Sequence, residues 1–290
     1  MSNLKNKLRE VFYKYMPDTF FLKRLFQQCM GYPLNLHNPA TFNEKLNWLK
    51  LYNRNPLYTK LVDKYAVKQW VAGKIGEQHI IPTIGVWNKF DEIKFNQLPN
   101  QFVLKSTHDS AGIAICKDFK QFDINAAREK ITNSLKRNYY HLCREWPYKN
   151  VIPQIIAEKY MEDENNELKD YKFFCFNGVV KFVQIDSNRF SDHHRTFYDC
   201  NWNLLPYKLT YPVQSQPIEK PINYEQMLDF AKTLSKGFPF VRVDMYNIKG
   251  QIFFGEMTFF PGAGFENFEP DELNYQIGEW LKLPKRKTIP

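Results

Sequence analysis

Glu256 follows Asp244 by twelve positions in RVDMYNIKGQIFFGEMTFFPGAG, and the stretch between them turns at Lys249-Gly250. On an antiparallel hairpin folded at that turn, the two acids face each other from neighbouring strands. Their neighbours are apolar (Val241, Val243, Met245, Phe253, Phe254, Met257 and Phe259), and an unpaired carboxylate in such company is costly. Two carboxylates suffice for Mg²⁺ when phosphates supply further ligands. Arg242 shares the face of Asp244 and offers bidentate bonds to a phosphate or a carboxylate. A plain ion pair between Arg242 and Glu256 is the structural alternative.

A second stretch, FVLKSTHDSAGIAICK (102–117), reads as strand, small-residue loop and strand. Lys105 ends the first strand, and Ser106, Thr107, Ser110, Ala111 and Gly112 are read as leaving their backbone N–H groups free. Such a loop folds over phosphate as a nest while the lysine supplies a point charge. It is neither a Walker A loop nor G-x-G-x-x-G, and an ordinary hairpin turn is the alternative. A third stretch, IIAEKYM, runs into the acidic EDENNE. Extended there, it offers backbone groups to an adenine edge and acids to ribose hydroxyls; an acidic surface loop is the simpler reading.

These residues need elements to carry them. Leu4, Leu8, Val11, Phe12 and Tyr15 fall on one face of a basic amphipathic helix over 4–16, suited to packing on the protein or lying on an anionic membrane. Thr41-Phe-Asn-Glu44 is a capping box opening a helix through Leu51. Asn55-Pro56 starts a second helix, expected to run unbroken through DKYAVKQWV to Gly73 or Gly76. Beyond Gly76, short β-rich runs alternate with helices. Asp123 caps a helix towards Tyr140, Asn177-Gly178 turns the hairpin YKFFCFNGVVKFVQI, Asn223 opens another helix, and a last one runs from near Pro270 to about Leu283. The polar, Pro-containing segment 187–216 reads as an irregular, mobile cover. Helices followed by hairpins with crossing helices give an α+β fold.

Composition narrows the classes. The chain has 290 residues, 43% apolar and 17% aromatic, enough for a core and too aromatic for disorder. No apolar run approaches the roughly 18 residues of a membrane span. Five scattered cysteines without a C-x-x-C pair oppose a disulfide framework or zinc ribbon, and no secretory signal is visible, which points to the cytoplasm. A net charge of +9 favours an anionic partner, whether nucleotide, nucleic acid, acidic glycan or membrane, although interleaved lysines also make an ordinary solvated surface.

The blocks TFNEKLNWLKLY, DKYAVKQWV, FVLKSTHDSAG, IAEKYM, DYKFFCFNG, RVDMY and FGEMTFFPGAG follow one another between about Pro39 and Leu283. In that order they resemble the ATP-grasp superfamily, and within it the TupA-like branch associated with polysaccharide and teichuronopeptide biosynthesis. The resemblance implies a helical N-terminal region (1–76), a small subdomain with a phosphate loop (77–160) and a large one with a metal hairpin (161–290), two antiparallel-sheet units clasping ATP. It implies phosphate contacts from Lys64, Lys105 and the loop residues Thr107, Ser110 and Gly112. Adenine would be held by Glu158, Lys159, Tyr160 and Met161, and Asp170 and Lys172 would face the ribose and phosphates. Asp244, Glu256 and Thr258 would hold Mg²⁺, with Arg242 and Lys172 beside the transferred phosphate. Two departures stand out: Thr258 replaces the usual Asn, and the loop carries Asp109, unfavourable near phosphate unless it faces away.

The implied reaction is ligation of a carboxylate to an amine through an acyl phosphate, shielded by a lid. Arg189, His193, His194 and Arg195 are candidates for lid and acceptor contacts, a histidine taking the amine proton. The implied partners are an acidic sugar or glycan acceptor and a small amine, with peripheral contact to the inner membrane face and no nucleic acid. A surface-polysaccharide glycosyltransferase using a sugar nucleotide is the alternative, but no DxD-like pair is present and Lys64 and Lys105 would lack a purpose in it.

Overall fold

A computed structural model describes residues 15–163, 168–188 and 192–286. Most of the helix expected over 4–16, residues 164–167 of the acidic run and Arg189 lie outside the described residues. Among those described, no helix is long and apolar enough to cross a membrane.

Four helices come first: α1 (Asp18–Met30), α2 (Phe42–Tyr52), α3 (Leu57–Val62) and α4 (Ala66–Ile75). The capping box forms at α2: Thr41 Oγ1 accepts from Glu44 N, and the Glu44 carboxylate accepts from Thr41 N at 3.0 Å. The single helix expected after Pro56 is instead two. The Asp63 carboxylate accepts from Tyr65 N (2.8 Å) and Ala66 N (2.9 Å), capping a new helix start where the old one would have continued. The break turns the amide of Lys64 to Thr107 O (3.0 Å) and so brings Lys64 to the small-residue loop.

Next come β1 (Thr83–Trp87), β2 (Phe102–Ser106), β3 (Ile113–Cys116), α5 (Ile124–Leu135), α6 (Tyr140–Cys143) and β4 (Ile155–Lys159). The four strands form an antiparallel sheet in the order β1-β4-β2-β3. Ala127 and Ile131 of α5 pack on Phe102, Leu104, Ile155 and Ala157.

The rest holds β5 (Asp170–Phe176), β6 (Val179–Ser187), β7 (His194–Asp199), β8 (Leu204–Leu205), β9 (Lys208–Leu209), α7 (Tyr224–Ser235), β10 (Phe240–Ile248), β11 (Gln251–Thr258), β12 (Phe268–Glu269) and α8 (Glu272–Trp280). A six-stranded antiparallel sheet runs β11-β10-β5-β6-β7-β8. Both expected hairpins turn where the sequence says, with positive φ at Asn177 and Gly178 and at Lys249 and Gly250. All seven residues of β5 are buried, and each buried Phe there stabilises the sheet by roughly 1.5–3 kcal/mol. Helices α2, α3 and α4 share this core through Phe42, Leu46, Leu61 and Val71.

The segment 187–216 corrects one expectation. It is not an irregular cover: β7 pairs residue by residue with β6, from Ser187↔His194 to Phe182↔Asp199, and β8 extends the sheet. Its polar composition fits a strand near one sheet edge whose charged start, Arg195, is paired inside the protein.

Candidate active site

A cleft of about 1140 Å³ opens beside the four-stranded sheet, lined by Lys105, Ser110, Ala111, Lys159, Tyr160 and Met161 and, from β10, by Tyr246. The two sequence ribbons meet through Lys64. Lys64 is in electrostatic reach of Lys105 on one side and Glu256 on the other; burial lowers its ammonium, Glu256 works against that, and Lys105 adds to it. Its Nζ donates to Asp109 O in the loop between β2 and β3.

That loop is braced from within. Asp109 is buried, and its carboxylate accepts from Ser106 Oγ (3.0 Å), Ser134 Oγ (2.5 Å), Ala111 N (3.1 Å) and Gly112 N (2.8 Å). Burial alone would raise its carboxyl, but the Ser134, Gly112 and Ser106 donors hold it below the usual carboxylate range. Asp109 therefore faces away from the cleft. The brace also corrects which amides are free: Ser106 N donates to Gly112 O, Thr107 N to Gln154 O, and Ala111 and Gly112 serve Asp109. Thr107 is fully buried, its Oγ1 accepting from Gln154 N. Among the described residues, the amides left without an acceptor in this loop are those of His108, Asp109 and Ser110.

Glu158 is placed differently from the expectation as well. It pairs with Val103 of β2 and Thr83 of β1 in mid-sheet, so its backbone is spent in the ladder. Its carboxylate sits between Lys105 (2.5 Å) and Lys68, and the latter also donates to Ile81 O (2.8 Å) and Thr83 Oγ1 (2.7 Å). Lys159 N donates to Pro82 O, leaving the backbones of Tyr160 and Met161 open towards the cleft. Lys68 was missed in the sequence although it stands in the DKYAVKQWV block; a lysine four residues after Lys64, on the next turn of the same segment, was the available signal. Burial would raise the Glu158 carboxyl, but Lys105 and Lys68 outweigh it and hold it below its ordinary 4.5. The pairing thus stabilises the fold fully above that value, and the contribution is lost as pH falls through the lower folded one. Glu158→Gln should flatten the acid limb of urea midpoints measured between roughly pH 6 and roughly pH 3; an unaltered limb would show that the pairing adds nothing to the fold.

On the hairpin, Asp244 and Glu256 are direct cross-strand partners, and Asp244 is also opposite Lys172 of β5. Arg242 Nε donates to Asp244 Oδ1 (2.7 Å), while its Nη2 meets Asp244 Oδ2 (2.7 Å), Glu256 Oε1 (3.3 Å) and Thr258 Oγ1 (3.1 Å). Three oxygens from three residues therefore converge on one cationic nitrogen. Two carboxylates and a hydroxyl around a single positive centre form a donor set that suits a hard divalent ion. Burial pushes the Asp244 carboxyl up to about 6, with Arg242 and Lys172 pulling it back. The Glu256 side chain is 47% open to solvent although protein surrounds it on most sides; those walls raise its carboxyl, and Lys64, Arg242 and Lys172 override them, taking it to about 2.

Lys172 links this hairpin to β6. Its Nζ lies 2.7 Å from Asp186, 3.6 Å from Asp170 and 3.9 Å from Asp244. Burial opposes ionisation of Asp186, yet Lys172 and Arg195 hold its carboxyl far below the usual range, Arg195 Nε at 2.7 Å. His193 stacks on Tyr211 with Nε2 3.5 Å from Asp186, and His194 Nδ1 is 2.7 Å from Asp192 O.

The sequence matches the family described as TupA-like ATPgrasp over residues 44–282. No curated protein matches it. Among solved structures, it is 15% identical to a D-alanine-D-alanine ligase from Helicobacter pylori, covering 83% of this chain and 69% of that one at a TM-score of 0.46. An L-amino acid ligase from Bacillus licheniformis aligns at 12% identity over 92% of this chain and 63% of its own, TM-score 0.49. A D-alanine–D-alanine ligase from Bacillus anthracis, complexed with ATP, aligns at 16% over 84% and 63%, TM-score 0.39. The chain thus spans less than two thirds of the last two.

Proposed function

The chain belongs to the TupA-like ATP-grasp family, and from that premise we propose that it is an ATP- and Mg²⁺-dependent carboxylate–amine ligase acting on an acidic sugar or glycan destined for the cell surface. The observation that carries this reading is the meeting of Lys64 and Lys105 with the hairpin residues Asp244, Glu256 and Arg242.

Phosphoryl transfer asks a protein chiefly for positioning and charge neutralisation. Lys64, Lys105 and the amides of residues 108–110 would take the phosphates, and the open backbones of Tyr160 and Met161 the base. Asp244, Glu256 and Thr258 would hold Mg²⁺, which would supply positive charge and Lewis acidity to the phosphoryl transfer. Arg242, then free of its carboxylates, would lie beside the transferred group. The acceptor carboxylate takes that phosphoryl group, and an amine displaces it with formation of a C–N bond. The net charge of +9 suits an acidic glycan precursor handled at the inner face of the membrane.

The direct test is thermal stabilisation. ATP with Mg²⁺ should raise the unfolding midpoint in proportion to the logarithm of its concentration, and a panel of UDP-sugars should not. A response to UDP-sugars alone would transfer the protein to the glycosyltransferases.

A further inference from the structure

Three residues beyond Thr258, the chain enters a loop with φ of 52° at Gly262, 52° at Ala263 and 69° at Gly264. Three consecutive left-handed residues, one of them alanine, persist only where the surroundings dictate them. Here α2 does so. Asn43, Asn47 and Lys50 lie on one helical face. Asn43 Nδ2 donates to Glu266 O (2.6 Å), Asn47 Nδ2 to Gly264 O (2.9 Å) and Lys50 Nζ to Ala263 O (2.6 Å). The loop bends Glu266 back over Gly262, where a Cβ would collide with the Glu266 side chain and stand 2.9 Å from Oε1.

The Glu266 carboxylate that results faces the transfer centre. Arg195 Nη1 of β7 is 3.9 Å away, and Arg242 of β10, Lys172 of β5 and Asp186 of β6 are in electrostatic reach. Among the described residues none of them hydrogen-bonds it. Burial raises its carboxyl against the pull of Arg195, Arg242 and Lys172, which moves it towards the range useful for proton transfer near neutral pH. His193, by contrast, is turned to Asp186 and stacked on Tyr211.

We propose that Glu266 takes the proton from the attacking ammonium group, and that Asn43, Asn47 and Lys50 are positioning residues that hold it through the loop backbone. This rests on the ligase reading. The ammonium gives one proton to the Glu266 carboxylate. The freed lone pair forms the C–N bond as the C–O bond to phosphate breaks, and the second N–H proton leaves with the phosphate.

Hydroxylamine separates the steps, because it is uncharged at neutral pH and needs no base, whereas methylamine arrives as an ammonium ion. Both are offered, at high concentration, to protein, ATP, Mg²⁺ and a panel of uronic acids. Glu266→Gln should keep its hydroxamate yield and its ATP-Mg²⁺ thermal shift, yet lose amide formation with methylamine by about a hundredfold at neutral pH. That deficit should shrink as rising pH deprotonates the amine. Asn47→Ala should raise KM for methylamine at unchanged hydroxamate yield; an unaltered KM removes the positioning role. Equal effects on both nucleophiles, no effect on either, or wild-type protein that uses hydroxylamine but never methylamine, would each overturn the role of Glu266. Wild-type protein that makes no hydroxamate from any acid would overturn the ligase reading itself.

Discussion

Glu256→Gln is expected to lower ATP turnover by about a thousandfold while the protein keeps its fold. The side chain is 47% open and contacts Arg242 at 3.3 Å, but Arg242 retains both 2.7 Å bonds to Asp244, so the hairpin does not depend on Glu256. What the substitution removes is charge, one of two carboxylates converging on a single cation. Turnover measured against Mg²⁺ concentration, alongside the thermal midpoint, decides between the two readings of this residue. If the contact with Arg242 is only a structural ion pair, the midpoint will fall and turnover will hold.

Gly112→Ala should be nearly as damaging, by a different route. A Cβ at this position would collide with Ser106 Oγ and Ser134 Oγ and stand 2.7 Å from Ser134 Cβ. Those two hydroxyls are donors to Asp109, so making room for a methyl group dismantles the brace that shapes residues 107–112. The expected result is about a hundredfold loss of ATP-Mg²⁺ affinity by calorimetry and a stability loss of about 1–3 kcal/mol in urea. Adding Ser106→Ala, which deletes the first obstructing oxygen, should restore part of the stability. If the single variant binds ATP like the parent, the loop does not hold the phosphates.

Local signals were read correctly where the chemistry is local. The Thr41–Glu44 capping box, the turns at Asn177-Gly178 and Lys249-Gly250, and the pairing of Asp244 with Glu256 all depend on residues a few positions apart or joined by one turn. Expectation and structure part where a side chain competes with the backbone or a pairing completes a segment. Asp63 breaks a helix that propensity would continue, because its carboxylate is a better cap than the next turn is a helix. Segment 187–216 reads as irregular because its polarity is satisfied only once β7 folds back on β6 and Arg195 meets Asp186. The loop amides were counted as free because the capping of Ala111 and Gly112 by Asp109 appears only once Ser134, on a helix 25 residues away, completes the same carboxylate.

Lys50 is fully buried, and its nitrogen reaches Asn47 Oδ1 (3.2 Å), Cys143 O (2.9 Å) and Ala263 O (2.6 Å). One ammonium thus works as a keystone among stretches of chain that meet nowhere in the sequence. Pulling any of them away takes a hydrogen-bond partner from an ammonium buried beside Phe260 and Phe265, which is costly. Cys143 lies within the excursion that leaves the four-stranded sheet after β3 and returns to it at β4. That single nitrogen therefore ties α2 and the loop after β11 to the stretch of chain between α5 and β4.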